Sequence, residues 1–238
     1  CSSTVNNRQP KGGATCCAPR HPTQPRCETN MQRTLVLASS SSYRRQLLLR
    51  LLPSFQSRDP AIDESRGAGE SPAALVQRLA LNKALRLAPD YDDALIIGAD
   101  QVACGENEFL GKPGNLSRAR EQLRHCSGKT VTFYTGLCLL DTRTDDYDIA
   151  CETYQVRFRT LSDAEIEAYL QVEQPFDCAG SFKSEGLGIN LFEALQGKDP
   201  NTLIGLPLIT LAGWLRRRGV NPLLLHSSAA ASPGTADR

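Results

Sequence analysis

From residue 34 to residue 218 the sequence alternates short aliphatic runs with stretches whose apolar residues recur at helical spacing, and no segment repeats another. Alternating strand and helix periods commit a chain to a layered α/β fold, because each amphipathic helix must bury its stripe against a sheet. Residues 34–38 form the first aliphatic run, followed by serines at 39–42 and a leucine-rich helix over 43–52 that Pro53 stops. Ser71 and Pro72 are a helix-start pair, and Leu75, Leu79, Ala80 and Ala84 then predict a helix reaching Pro89. Residues 95–104 (LIIGADQVAC) read as a buried strand, 117–126 as a helix, and 129–141 with 147–159 as a long β-hairpin. A helix over 162–172, a segment over 178–192 and a last helix over 202–218, stopped by Gly219, complete a single domain.

Both ends differ from this body. Residues 1–30 are rich in Asn, Gln, Pro, Gly and Thr, lack apolar periodicity, and read as a disordered extension. Met31, the chain's one methionine, is the natural candidate for the biological start. The domain is expected over 31–222 and a flexible tail over 223–238, of which 227–238 (SSAAASPGTADR) are small and polar.

Composition removes several function classes. With 27 Lys and Arg against 26 Asp and Glu, the chain lacks the basic footprint of a nucleic-acid binder. Its longest apolar stretch, 203–215, is broken by Gly, Pro and Thr and falls short of the ~20 residues of a membrane span, so no membrane association is expected. Nine cysteines, odd in number and scattered, fit a reducing compartment better than a disulfide framework, which points to the cytoplasm. Cys1, Cys16, Cys17 and Cys27 form no CxxC pair and have no paired histidines to complete a zinc site.

Only three histidines are present, His21 and His226 towards the ends and His125 at a helix terminus, which argues against a Ser-His-Asp triad and most zinc-hydrolase schemes. The segments SGKT (127–130) and GENEFLGKP (105–113) fail the spacing of a nucleotide P-loop. What remains are groups suited to phosphate. Ser39, with the serines after it, leads into Tyr43, Arg44 and Arg45, so hydroxyls, backbone N–H groups and guanidinium forks can converge on an anion. A capping loop with solvated arginines is the plainer alternative. Lys83 interrupts an otherwise apolar helix, and Lys112 sits in a Gly-Lys-Pro turn. Asp100 is the acid of an otherwise apolar strand, and a buried acid needs partners. Beside Asp63 or Glu64 it can hold a divalent cation or activate water; capping a turn or pairing with an arginine fits the segment equally well.

These residues fall in blocks that resemble the Maf family of nucleotide pyrophosphatases. The resemblance runs over residues 35–222 through LASSSSYRRQLL, DES, RLALNKA, GADQV, LGKP, LRHCSGKTVTFYTG, AGSFKSEG and NTLIGLPL, in that order. It implies an elongated mixed β-sheet flanked by helices, with two lobes and a central cleft, similar to the inosine-triphosphatase architecture. It implies hydrolysis of a nucleoside triphosphate between the α- and β-phosphates, with Asp100 as general base. Ser39, Arg44, Arg45, Lys83 and Lys112 would handle phosphate, and Glu64 with Asp100 would hold Mg²⁺ or Mn²⁺. A homodimer is also implied. Tyr43, Gln101 and Glu185 differ from the Arg, Thr and Gln typical of the branch acting on thymidine and uridine triphosphates, and resemble the branch acting on 7-methylguanosine triphosphate. Trp is commoner than Tyr at the position of residue 43. Pyrimidine or other modified nucleotides, and a non-enzymatic regulator of septum formation, are the alternatives.

Overall fold

The computed structural model describes residues 33–105 and 108–230. The extension expected over 1–30, with its cysteines and His21, and the end of the tail from 231 lie outside the described residues. Seven strands among the described residues form one mixed sheet: β1 (Thr34–Ala38), β2 (Gln56–Arg58), β3 (Ala94–Cys104), β4 (Phe109–Leu110), β5 (Thr130–Asp141), β6 (Asp146–Phe158) and β7 (Phe192–Gly197). Their order is β2-β1-β3-β5-β6-β7, with β4 also paired to β3. The β1 pairings with β2 and β3 are parallel, and the rest are antiparallel. The helices are α1 (Ser42–Leu48), α2 (Pro72–Leu87), α3 (Leu116–Cys126), α4 (Asp163–Glu173), α5 (Asn201–Ile204), α6 (Leu208–Arg217) and α7 (Pro222–Ala230).

Period-two alternation divides the core. In β3, Leu95, Ile97 and Ala99 pack under α1 and α6 with Leu48, Leu211 and Trp214. Ala94 and Ile96 turn the other way and pack with Ala80, Ala84 and Leu87 of α2. At the far end of the β5–β6 hairpin, Phe133 and Phe158 join α3 and α4 in a second core region, where Phe182 and Phe192 meet them edge to face. Both core regions share the long strands of one sheet.

α2 lies unusually close to that sheet. A Cβ on Gly98 would collide with the Ala80 carbonyl, and one on Gly136 with the Val76 carbonyl. The two glycines are what allow the helix backbone to touch the strands.

Two expectations need correction, and a segment left without an element gains two. The helix expected over 202–218 is two, α5 and α6, because Gly205 adopts φ 119° and Pro207, which has no N–H to give, caps the next helix. The tail expected from 223 starts as α7, which Pro222 opens. The segment over 178–192 contributes two short 3₁₀ turns, Ala179–Ser181 and Leu187–Leu191. Among the described residues no helix is long and apolar enough to cross a membrane.

Candidate active site

β1 ends where Ala38 pairs with Gly98, and β4 joins the same edge of β3 only at Ala103. Residues 99–102 of β3 therefore have no strand on that edge, and a cleft of ≈ 740 Å³ opens beside them. Open α/β sheets bind ligands in such a place, just past the carboxyl end of a parallel strand.

Asp100 lies within β3 rather than at its end, on the face towards α2, and is 7% exposed. Lys83, in the middle of α2 and 5% exposed, places its Nζ 2.6 Å from Asp100 Oδ1. The same nitrogen is 2.6 Å from Glu64 Oε1, which reaches in from the loop before α2. Of the two acids considered as Asp100's neighbour, Glu64 is the one that arrives. Asp63 instead turns to Ser65, accepting its backbone N–H at 2.8 Å; the Ser65 hydroxyl and then this N–H lower the Asp63 pKa. A buried ammonium flanked by carboxylates is a compensated arrangement, since an isolated charge there would be costly.

The phosphate-suited groups form the opposite wall. Ser39 is buried; its Oγ accepts from Ser41 N at 3.2 Å and from Arg44 Nη1 at 3.4 Å. Arg44 Nε donates to the Gly205 carbonyl at 3.0 Å, across a position where a side chain would crowd the guanidinium. Burial lowers the Arg44 pKa, opposed by the charges of Asp100 and Glu64. Lys112 is exposed and completes the rim. Arg45 departs from expectation: it is exposed and does not line the cleft. Tyr43 and Arg44 already occupy the sector of α1 that faces the cleft, and a further turn of about 100° carries Arg45 out of it.

The three residues expected to read the base also reach the cleft. Tyr43 is half-buried, with the Cys178 thiol 3.8 Å from its hydroxyl; burial raises the Tyr43 pKa, and the Cys178 contact adds to this. Glu185 is exposed at the rim. Gln101 is more constrained than expected. Its amide nitrogen donates to Thr135 Oγ1 at 3.0 Å and to the carbonyls of Thr202 and Leu203 at 2.8 and 3.1 Å. That leaves its carbonyl oxygen as the group with capacity for a ligand.

The sequence model of the family described as "Maf-like protein" matches residues 34–218. The chain belongs to the Maf family. Three Maf relatives are each named 7-methyl-GTP pyrophosphatase. The one from Alcanivorax borkumensis is 57% identical over 192 residues, covering 81% of this chain and 98% of its own. The one from Colwellia psychrerythraea is 52% identical over 195 residues, with 82% and 98% covered. The Idiomarina loihiensis protein is 53% identical over 191 residues, with 79% and 96% covered.

For this Maf protein, the donors able to hold a metal are Asp100 and Glu64. Among the described residues no set of three or more His, Cys, Asp and Glu side chains gathers around one point. Two carboxylate donors, both within reach of the single Lys83 nitrogen, suit a hard cation such as Mg²⁺ that takes its other oxygens from water and substrate phosphates. Cys178, Thr135 and Gly205 were not singled out from the sequence. Gly205 carried a visible signal in the Gly-Leu-Pro break, whereas Cys178 and Thr135 enter through long-range contacts that no local pattern announces.

Proposed function

We propose that the protein hydrolyses 7-methylguanosine triphosphate between the α- and β-phosphates, releasing the nucleoside monophosphate and pyrophosphate. One geometric fact carries the reading: Asp100 and Lys83 meet at 2.6 Å in a cleft that Ser39, Arg44 and Lys112 also line. The name shared by the three relatives supports the substrate.

In this reading Asp100 orients a water towards the α-phosphorus and accepts its proton. A P–O bond forms from that water as the bond to the bridging oxygen breaks, and the electron pair leaves with pyrophosphate. Arg44, Lys83 and Lys112 bind the phosphate oxygens and offset the charge that develops on them. Lys83 has three N–H donors and can turn one towards phosphate while keeping its hold on Asp100. Mg²⁺ or Mn²⁺, held by Asp100 and Glu64, would add positive charge at the same oxygens.

At the other end of the nucleotide, ionised Glu185 accepts two N–H groups from a guanine edge, whereas uracil and thymine offer one. N7-methylation makes the base cationic, so stacking on Tyr43 gains about 0.5–2 kcal/mol of cation–π attraction. These preferences, with the relatives' shared name, set pyrimidine triphosphates and a purely regulatory role behind. The family resemblance supports a cytoplasmic homodimer, which light scattering tests for assembly.

The deciding experiment measures pyrophosphate release from 7-methyl-GTP, GTP, UTP and dTTP at equal concentration, with and without Mg²⁺. Fastest turnover of 7-methyl-GTP, dependent on the cation, is the expected result. Equal rates on all four, or no pyrophosphate from any, overturns the proposal.

A further inference from the structure

Glu185 stands exposed on the stretch that joins Phe182 to the 3₁₀ turn Leu187–Leu191, and an acid on a loose loop selects poorly between bases. This stretch is pinned on both sides of Glu185. Two residues before it, the Lys183 backbone N–H donates to the Tyr169 hydroxyl at 3.0 Å. Two residues after it, the Leu187 backbone N–H donates to Glu173 Oε1 at 2.5 Å. Both acceptors belong to α4, which contributes nothing to the lining of the cleft.

The pins are themselves well held. Tyr169 is 3% exposed within the second core region. Lys183 Nζ donates to the Glu173 carbonyl at 3.1 Å, adding a cation at the C-terminal end of α4. Gly186, between Glu185 and the Leu187 pin, lies so near Glu173 that a Cβ there would sit 2.5 Å from Oε1. Upstream, Phe182 is locked among Phe133, Phe158 and Phe192. Three residues after Glu185, the Gly188 backbone presses on that of Lys183 and leaves no room for a Cβ.

We infer that Tyr169 and Glu173 are positioning residues for base selection: they act through the backbone at 183 and 187 to hold Glu185 at the guanine edge. The inference rests on the reading of Glu185 given above and extends it to two side chains that never meet the nucleotide. An acceptor at each pin fixes the direction in which Glu185 projects. Loss of either acceptor lets the loop sample orientations in which only one carboxylate oxygen, or none, faces the base.

The test compares the full-length wild type with Glu173→Ala, Glu173→Gln, Tyr169→Phe and Glu185→Gln, measuring kcat and KM on 7-methyl-GTP and on GTP. Glu173→Ala and Tyr169→Phe are each expected to raise KM for 7-methyl-GTP about fivefold or more and to shrink its advantage over GTP, with kcat within about twofold of wild type. Glu173→Gln keeps an acceptor oxygen for Leu187 N–H and is expected to recover most of the selectivity. Hydrogen exchange at the amides of Lys183 and Leu187 should quicken in the variants that lose the acceptor. A purely structural role would lower kcat and thermal stability together and leave the ratio of the two substrates alone, which overturns the inference. Selectivity lost in Glu185→Gln but kept in Glu173→Ala and Tyr169→Phe overturns it while sparing the reading of Glu185. If Glu185→Gln itself leaves selectivity intact, that reading falls and the inference with it. Should Glu173→Ala fail to fold, Tyr169→Phe decides the outcome, since it removes one hydroxyl and keeps the buried ring.

Discussion

Gly136 stands directly opposite Asp100 in the β3–β5 ladder, and its missing side chain lets α2 close on the strands beside the acid. The atom that a Cβ would strike is the Val76 carbonyl, with the Ala80 carbonyl in the same position over Gly98. Backbone atoms of a packed helix cannot rotate away, so a methyl at either site must lift α2 and carry Lys83 with it. Gly136→Ala and Gly98→Ala are expected to cost about 1–3 kcal/mol or more by overpacking. Each should lower pyrophosphate release at least tenfold. Gly213→Ala is the control: it lies in α6 with nothing near its Cβ position, and should stabilise by about 0.5–1 kcal/mol through helix propensity. Urea denaturation beside a pyrophosphate assay reads all three.

Asp100→Asn keeps the shape of the side chain and removes its capacity to take a proton. Turnover is expected to fall about 10²–10⁴-fold, the usual contribution of a positioned base. The fold should survive, because Lys83 retains Glu64 as a partner at 2.6 Å. Glu64→Gln should act more mildly, raising the Mg²⁺ concentration needed for half-maximal rate more than it lowers the rate at saturation, since the Glu64 side chain is 59% exposed and bears on the site from its rim. Circular dichroism with steady-state kinetics distinguishes the two. An Asp100→Asn rate within tenfold of wild type would sink its assignment.

Asp100 was legible in the sequence because a single acid in an aliphatic strand must be satisfied, and Lys83 because it falls on the apolar stripe of its helix with Leu79, Ala80 and Leu87. The choice between Asp63 and Glu64 was not, since it depends on which acid the turn at Ser65 consumes. Arg44 and Arg45 are chemically alike and adjacent; only the rotation of α1 over β1 separates them. Gln101 follows Asp100 in a strand, so the pleat sends it to the opposite face, where the α5 carbonyls claim its amide. The Tyr43–Cys178 contact spans 135 residues of sequence and belongs to tertiary packing alone. The split between α5 and α6, in contrast, was written in Gly205 and Pro207, and an apolar helical pattern running through both obscured it.

At the end of the sheet where β1 begins, Arg33 grips Asp141 through Nη1 at 2.8 Å and Nη2 at 2.5 Å, with Asp93 on its Nε. The guanidinium bonds hold the Asp141 carboxyl below its usual pKa. A depressed carboxyl stabilises the fold fully above its unfolded pKa of about 3.9, and that contribution fades as pH falls through the folded value. Asp141→Asn should therefore be less stable than wild type at pH 7 by about 3 kcal/mol, the low end for breaking a buried pair because Arg33 keeps Asp93. The difference should begin to close below about pH 4. Urea midpoints at pH 7, 5 and 3 check this, and a gap unchanged at pH 3 would mean that shape rather than charge sets the contribution of Asp141.

The Cys178 thiol lies beside Tyr43, the residue proposed to stack on the base. Burial pushes the Cys178 pKa up to about 12, with the Tyr43 hydroxyl partly opposing the rise. The thiolate is the reactive form, and a free cysteine near pKa 8.5 exposes a substantial fraction of it at pH 8. Cys178 should then alkylate about a thousandfold more slowly than a free thiol at that pH. Its rate should keep rising as pH climbs past 9, where an ordinary cysteine levels off. Iodoacetamide labelling followed by mass spectrometry of the peptide carrying Cys178 measures both features. Saturating 7-methyl-GTP should slow the labelling further if the base stacks on Tyr43, since the thiol lies 3.8 Å from that hydroxyl and lines the same cleft. Labelling at the speed of a free thiol, indifferent to the nucleotide, would place Cys178 outside the base pocket and remove the support it lends to stacking at Tyr43.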